Sequence, residues 1–358
     1  YDIDFNELYQ NISGQNSNNS VRGKDEFMNA VINDGDWNIV ERKTGEVRKT
    51  VKARELFEHI AKAAWVSGDP GMQFDTTIND WHTCSKSGRI NASNPCSEYM
   101  FLDDTACNLA SLNLMKFRNE DGSFNFTEFK HATDIFITAQ EISVDHAGYP
   151  THSIAQNSHD FRPLGLGYAN LGAFLMSNGI PYDHEESFAV AGAITAILTG
   201  TAYKQSAKIA SRLGSFSEFE KNREPFLKVM KKHASHVNKI PKLNSKLNLE
   251  QMVDEAETVW KDAIELISKY GAKNSQVTVL APTGTIGFMM DCDTTGIEPD
   301  IALVKYKNLA GKGNLKLVNN TVKMALSKQG YDPEQVKEIL DYIDKNDTIE
   351  GAPGLKES

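Results

Sequence analysis

The stretch NASNPCSEYMFLDDTACNLASLNLMKF, from Asn91 to Phe117, holds two of the chain's four cysteines among many amide, hydroxyl and carboxylate side chains. Its apolar runs are short. Residues 80–116 therefore read as loop, short strand, loop, short strand. If Asn94-Pro95-Cys96-Ser97-Glu98 is extended, strand alternation puts Asn94, Cys96 and Glu98 on one side of the backbone. An amide, a thiol and a carboxylate then face one ligand. The thiol can act as nucleophile, metal ligand or hydrogen-atom abstractor, the carboxylate as general base, and the amide can orient hydroxyls. The competing reading is a surface turn with a half-buried cysteine. Cys107 follows eleven residues after Cys96. Two adjacent short strands could bring the thiols together for dithiol redox work. Alternatively, Cys107 is a small core hydrophobe.

Working outward, residues 1–24 read as polar loop, including the run Asn16 to Ser20, and a helix is predicted from Asp25. Residues 36–52 read as a hairpin. The helix after it carries Leu56, Phe57, Ile60, Ala63 and Ala64 and stops at Gly68-Asp69-Pro70-Gly71. Downstream, helices are predicted over 127–147, 185–213, 217–233 and 250–270. Arg162 to Gly172 reads as a strand or turn feeding a helix, and its glycines make a poor dinucleotide fingerprint. Gln276 to Leu280 is a buried strand by its β-branched content. It runs into Pro282-Thr283-Gly284-Thr285-Ile286-Gly287. Here glycines let backbone amides approach an anion, the threonines add hydroxyls, and a helix start would favour phosphate. No Gly-Lys-Ser/Thr follows, so it is not a Walker A loop. An ordinary strand–helix turn is the alternative. A last helix is predicted from Asp332, with Pro333 first and Gln335 completing a capping box. Strands interleaved with helices argue for an α/β fold with some parallel sheet.

The composition, 40% hydrophobic and 24% charged residues, excludes wholesale disorder, collagen and coiled coil. No apolar run reaches the roughly 18 residues of a membrane span. A formal charge of −10 argues against charge-driven nucleic-acid binding, though not against a small phosphorylated ligand. The four cysteines (Cys84, Cys96, Cys107 and Cys292) make no disulfide scaffold and no C-x-x-C pair, so a reducing cytoplasm is expected and a structural zinc is not.

Taken together, these residues resemble the catalytic subunit of ribonucleotide reductase. Asn91 to Phe117 is similar to that family's active-site segment, and Ala281 to Gly287 (APTGTIG) resembles its phosphate loop. Asn18 to Arg22 (NNSVR), Gly68 to Cys84 (GDPGMQFDTTINDWHTC), Phe161 to Leu175 (FRPLGLGYANLGAFL) and Gly296 to Ile301 (GIEPDI) also resemble family segments, in the family's order. The likeness spans about residues 10–310. The wording of Cys84 to Phe117 and the spacing of Cys107 from Cys96 are similar to class II, the adenosylcobalamin-dependent kind. The diiron class places the second cysteine farther along, and position 119 here is Asn119. The glycyl-radical class lacks the glutamate.

The resemblance implies an incomplete ten-stranded α/β barrel over residues 1–311 and a polar, mostly helical extension over 312–358. It implies reduction of ribonucleotides to 2′-deoxyribonucleotides with adenosylcobalamin as cofactor. In that chemistry Cys96 carries a thiyl radical, Glu98 is the base on the 3′-hydroxyl, Asn94 holds the ribose hydroxyls, and Cys107 is half of a reducing dithiol. Substrate would be bound by Asn94, Pro95, Cys96, Ser97 and Glu98 and by Pro282, Thr283, Gly284, Thr285 and Ile286. No metal ligands are expected. The implied partners are a ribonucleotide, a thioredoxin-type or glutaredoxin-type reductant for the full-length enzyme, and a second copy in a homodimer, with neither nucleic acid nor membrane. The family's other redox cysteine, its effector region and its C-terminal cysteine pair have no counterpart here. The chain is therefore expected to be an internal fragment that does not turn over alone. The alternative function is a non-catalytic nucleotide- or phosphate-binding module.

Overall fold

A strand that leaves through a helix tends to return in the same direction, so the order of elements predicts parallel pairing. The computed structural model bears this out over the residues it describes, 17–245, 247–308 and 314–356. Part of the loop expected over residues 1–24 falls on 1–16, outside the described residues. The chain divides into two units, Tyr1–His82 with Gly88–Asp103, and Thr83–Ser87 with Asp104–Ser358.

In the first unit, β1 (Ser20–Gly23) leads into α1 (Asp25–Ile32), the hairpin β2 (Asp36–Val40) and β3 (Val47–Lys52), and α2 (Ala53–Ser67). The chain returns as β4 (Gly71–Phe74) and α3 (Asp75–Asp80). β4 lies parallel to β1, with Arg22 opposite Gln73. α2 ends on Gly68 in the left-handed region, φ 80°, where glycine carries no Cβ penalty. Phe27, Val31 and Ala53 form the core, with Trp37 edge-on to Phe27 at 5.1 Å. Leu56, Phe57 and Ile60 of α2 pack against that core, whereas Ala63 is exposed.

In the second unit, β5 (Asn108–Asn113) and β6 (Leu164–Ala169) are parallel, joined through α4 (Phe126–His146) and α5 (His152–Phe161). All six residues of β6 are buried, as a strand covered on both faces requires. Gln276 to Leu280 runs beside β6, but only Leu166 and Thr278 form a ladder bridge. The amides of Leu164 and Leu166, two residues apart, bond to the consecutive carbonyls of Gln276 and Val277, so regular register is lost. Gly167 permits the close approach, since a Cβ there would lie 2.4 Å from the Val279 carbonyl. The glycines that weakly imitated a dinucleotide fingerprint are packing residues.

After β6, α6 (Leu171–Ser177) leads to α7 (Glu185–Leu213), α8 (Phe219–Val237) and α9 (Leu249–Tyr270), close to the predicted spans. Of the predicted α9 core face, Val253, Ala256, Trp260, Ala263 and Ile267 are buried, and Ile264 is half-buried. Beyond the Pro282 loop, α10 (Ile286–Met289) is a single turn. β7 (Val304–Asn308) and β8 (Asn314–Val318) form an antiparallel hairpin, followed by α11 (Thr321–Lys328) and α12 (Pro333–Asn346). The capping box at Asp332 and Gln335 is present. Val304, Val322, Leu326, Val336, Ile339 and Ile343 share one core there. Among the described residues the strands form four two-stranded sheets and close no barrel, and no helix is long and apolar enough to cross a membrane.

Candidate active site

Asn94 to Glu98 is a turn, not a strand. The Ser97 amide donates to the Asn94 carbonyl at 3.0 Å, and Ser97 sits at φ 63°. The local sequence explains this, because Asn at the first and Pro at the second position favour a β-turn. The extended alternation expected here is therefore corrected, and the first of the two predicted short strands does not form. Asn94 and Glu98 still meet, because the turn brings the Asn94 Nδ2 to the Glu98 carboxylate as donor. Asn94 Oδ1 accepts from the Tyr99 amide at 3.0 Å. Cys96 is exposed at the tip between them.

A polar chain braces this turn from below. Gln73 Nε2 donates to Ser93 Oγ at 2.7 Å and to Ser97 Oγ at 3.1 Å. Arg22 Nη1 donates to Gln73 Oε1 at 2.8 Å, and Arg22 also pairs with Asp75 at 3.0 Å and with the Ile90 carbonyl at 3.0 Å. Arg89 joins Asp75 from its other side. Gln73 and Asp75 are buried, so their polar atoms need these partners. Residue-by-residue reading missed all of them. The signal lies in the parallel register that seats Arg22 across from Gln73, which no short motif contains.

In the second unit, Cys107 immediately precedes β5 and is half-buried. The Pro282 loop stands at the C-terminal ends of β5 and β6, the usual place for ligands on parallel sheets. Asn170 follows β6 with φ 74°; its Oδ1 accepts from the Thr294 amide and its Nδ2 donates to Asn113 Oδ1, each at 3.0 Å. Asn113, at the end of β5, donates to the Met290 carbonyl at 3.0 Å. Thr283 is buried with φ 54°, and its Oγ1 accepts from the Gly296 amide at 2.7 Å. The Gly287 amide closes onto the Thr283 carbonyl at 2.8 Å. Gly284, Thr285 and Ile286 are left exposed, and a Cβ on Gly284 would meet open space. The loop thus offers a hydroxyl and backbone to a ligand while Thr283 and Gly296 hold its shape.

The remaining cysteines differ in kind. Burial pushes the Cys84 thiol up to about 12, and burial with Asp293 and Asp291 pushes Cys292 up to about 11. Neither supplies thiolate near neutrality.

A family model for the ribonucleotide reductase barrel domain matches residues 6–358. The chain belongs to this family. It is 54% identical over its whole length to 34% of a vitamin B12-dependent ribonucleotide reductase of Rhodopirellula baltica. It is 49% identical over its whole length to 29% of the protein of that name from Agrobacterium fabrum. A vitamin B12-dependent ribonucleoside-diphosphate reductase of Mycobacterium tuberculosis is 28% identical across 90% of the chain and 40% of that protein. The chain thus spans about a third of the length of the curated relatives it matches. The ribonucleotide reductase resemblance drawn from Asn91–Phe117 and Ala281–Gly287 is borne out at the level of the family.

Proposed function

We propose that the full-length protein reduces ribonucleotides to 2′-deoxyribonucleotides by a thiyl-radical mechanism, with adenosylcobalamin as cofactor. The observation that carries this reading is the exposed Cys96 thiol on a turn whose flanks hold Asn94 against Glu98, in a chain of this family. That exposure is also the fit to the cofactor: Cys96 is the residue that would meet it. When bound, adenosylcobalamin supplies the one-electron oxidising equivalent.

The chain's own residues do the rest. Cys96 as thiyl takes the 3′-hydrogen of the ribose. Glu98 accepts the 3′-hydroxyl proton while the 2′-hydroxyl takes a proton from the cysteine pair and leaves as water. Asn94 holds the ribose hydroxyls and, through Nδ2, the Glu98 carboxylate. Cys107 and a second cysteine supply two electrons and two protons, one to the departing water and one to C2′, and become a disulfide, which a thioredoxin-type or glutaredoxin-type protein reduces again; Cys96 returns its hydrogen to C3′. Pro282 to Ile286 take the substrate phosphates through backbone amides and the Thr285 hydroxyl. We assign the chemistry to the part of the chain before residue 312 and none to the helical extension after it. A homodimer is the proposed assembly.

The test is Cys96→Ala in the full-length protein. Nucleotide binding is expected to persist and deoxyribonucleotide formation to cease. Retained turnover overturns the radical assignment. Binding without turnover in the unmutated protein favours a nucleotide-binding module instead. A nucleotide-bound structure is expected to place the ribose at Cys96 and the phosphates at 282–286; the two sites on opposite surfaces would overturn the shared site.

A further inference from the structure

Cys107 stands in an unusually restrained setting within its unit. The Ala106 amide on one side donates to Ser158 Oγ at 3.0 Å, and Ser158 is buried. On the other side, Asn108 and Gln140 exchange two hydrogen bonds. Asn108 Nδ2 donates to the Gln140 carbonyl at 2.9 Å, and Gln140 Nε2 donates back to the Asn108 carbonyl. Gln140 is buried, and its Oε1 has no hydrogen-bond partner. A buried acceptor left unpaired is costly, because it has given up its bonds to water without replacement. What Gln140 supplies against that cost is the bond from its Nε2 to the Asn108 carbonyl.

The sulfur itself lies over Gly165. A Cβ built there would sit 2.6 Å from Cys107 Sγ and 2.8 Å from Leu109 Cδ2. Gly165 has no positive φ that demands glycine, so space is what it provides. With the backbone held at residues 106 and 108, Sγ moves chiefly by rotation about χ1, and the missing methyl at 165 leaves room for it. Disulfide closure needs that freedom, because the S–S bond accepts a narrow range of Cβ separation and dihedral angle.

Building on the dithiol role proposed for Cys107, we infer that Ser158, Gln140 and Gly165 are positioning residues that set its thiol–disulfide equilibrium. In that step Cys107 and a second cysteine lose two protons and two electrons to the ribonucleotide as the S–S bond forms. A methyl at 165 displaces Sγ, strains the disulfide and makes it easier to reduce.

The measurement is equilibration of the full-length protein with glutathione redox buffers, followed by alkylation and peptide mass spectrometry of Cys107. Gly165→Ala is expected to shift the equilibrium toward the dithiol by about tenfold, which is about 30 mV for a two-electron couple. Ser158→Ala should shift it in the same direction, and Ser158→Thr, which keeps the acceptor, should restore it. If Gly165→Ala does not fold, the Ser158 pair decides. Equilibria equal to the parent's in the variants that fold overturn the inference and leave the dithiol role standing. A parent in which Cys107 forms no disulfide overturns both, whereas retained turnover in Cys96→Ala strikes only the radical reading.

Discussion

At the residue scale, the proposed site depends on side chains that do no chemistry. Gln73 is the clearest. It accepts from Arg22 and donates to Ser93 and Ser97, so one buried amide joins the paired strands to the Cys96 turn. Gln73→Leu keeps the volume and removes every one of these bonds. Leaving the half-buried Arg22, Ser93 and Ser97 short of these bonds costs about 1 kcal/mol for each bond lost. In the full-length protein the expected result is about tenfold or more off kcat, with the overall fold kept by circular dichroism. Unchanged kcat would mean that the turn holds itself. Strand alternation is expected to put Asn94, Cys96 and Glu98 on one side of the backbone; a Pro-bearing turn instead brings Asn94 directly against Glu98. The turn chemistry was legible in Asn94-Pro95. The brace was not, because Arg22, Gln73 and Ser97 are far apart in the chain.

At the element scale, the long helices and the 36–52 hairpin match the reading closely, while the strands expected at 94–98 and 276–280 do not form as regular strands. A helix of the length of α7 repeats its apolar period many times, so its limits follow from local pattern. Gln276 to Leu280 has the composition of a strand, yet its bonding to β6 is irregular, because pairing is decided by the neighbour. The packing of α7 on α9 explains why a helix keeps a glycine at its middle at a cost of about 1 kcal/mol. A Cβ on Gly200 would lie 2.8 Å from Val259 Cγ2 and 3.1 Å from Trp260 Cδ1. Gly200→Val is expected to destabilise the protein by about 1–3 kcal/mol through overpacking. A urea midpoint equal to the parent's would show that the crossing has slack.

At the scale of the whole molecule, two buried histidines link stability to pH. Burial lowers His82 to about 4; burial, with His236 and Lys232 nearby, lowers His233 to about 4. One lies in each unit. Their folded values lie below the ordinary value of 6.5, so the unfolded chain takes up protons that the folded chain refuses. Stability is therefore full above about pH 6.5 and is lost as pH falls toward about 4, each histidine contributing up to about 1.4 kcal/mol per pH unit. His233→Phe, which keeps a ring stacked on Trp260, should flatten the fall in urea midpoint between pH 7 and pH 5. An unchanged slope would remove His233 from the account. The sequence by itself determined the α/β class, the long helices and the Asp332 cap, because periodicity and capping are local. Only the tertiary structure decided what braces the Cys96 turn, what shapes the Pro282 loop and what makes room for the Cys107 sulfur. Those contacts join residues from 13 to 124 apart in the chain, and it is the packing of strands and loops that brings them together.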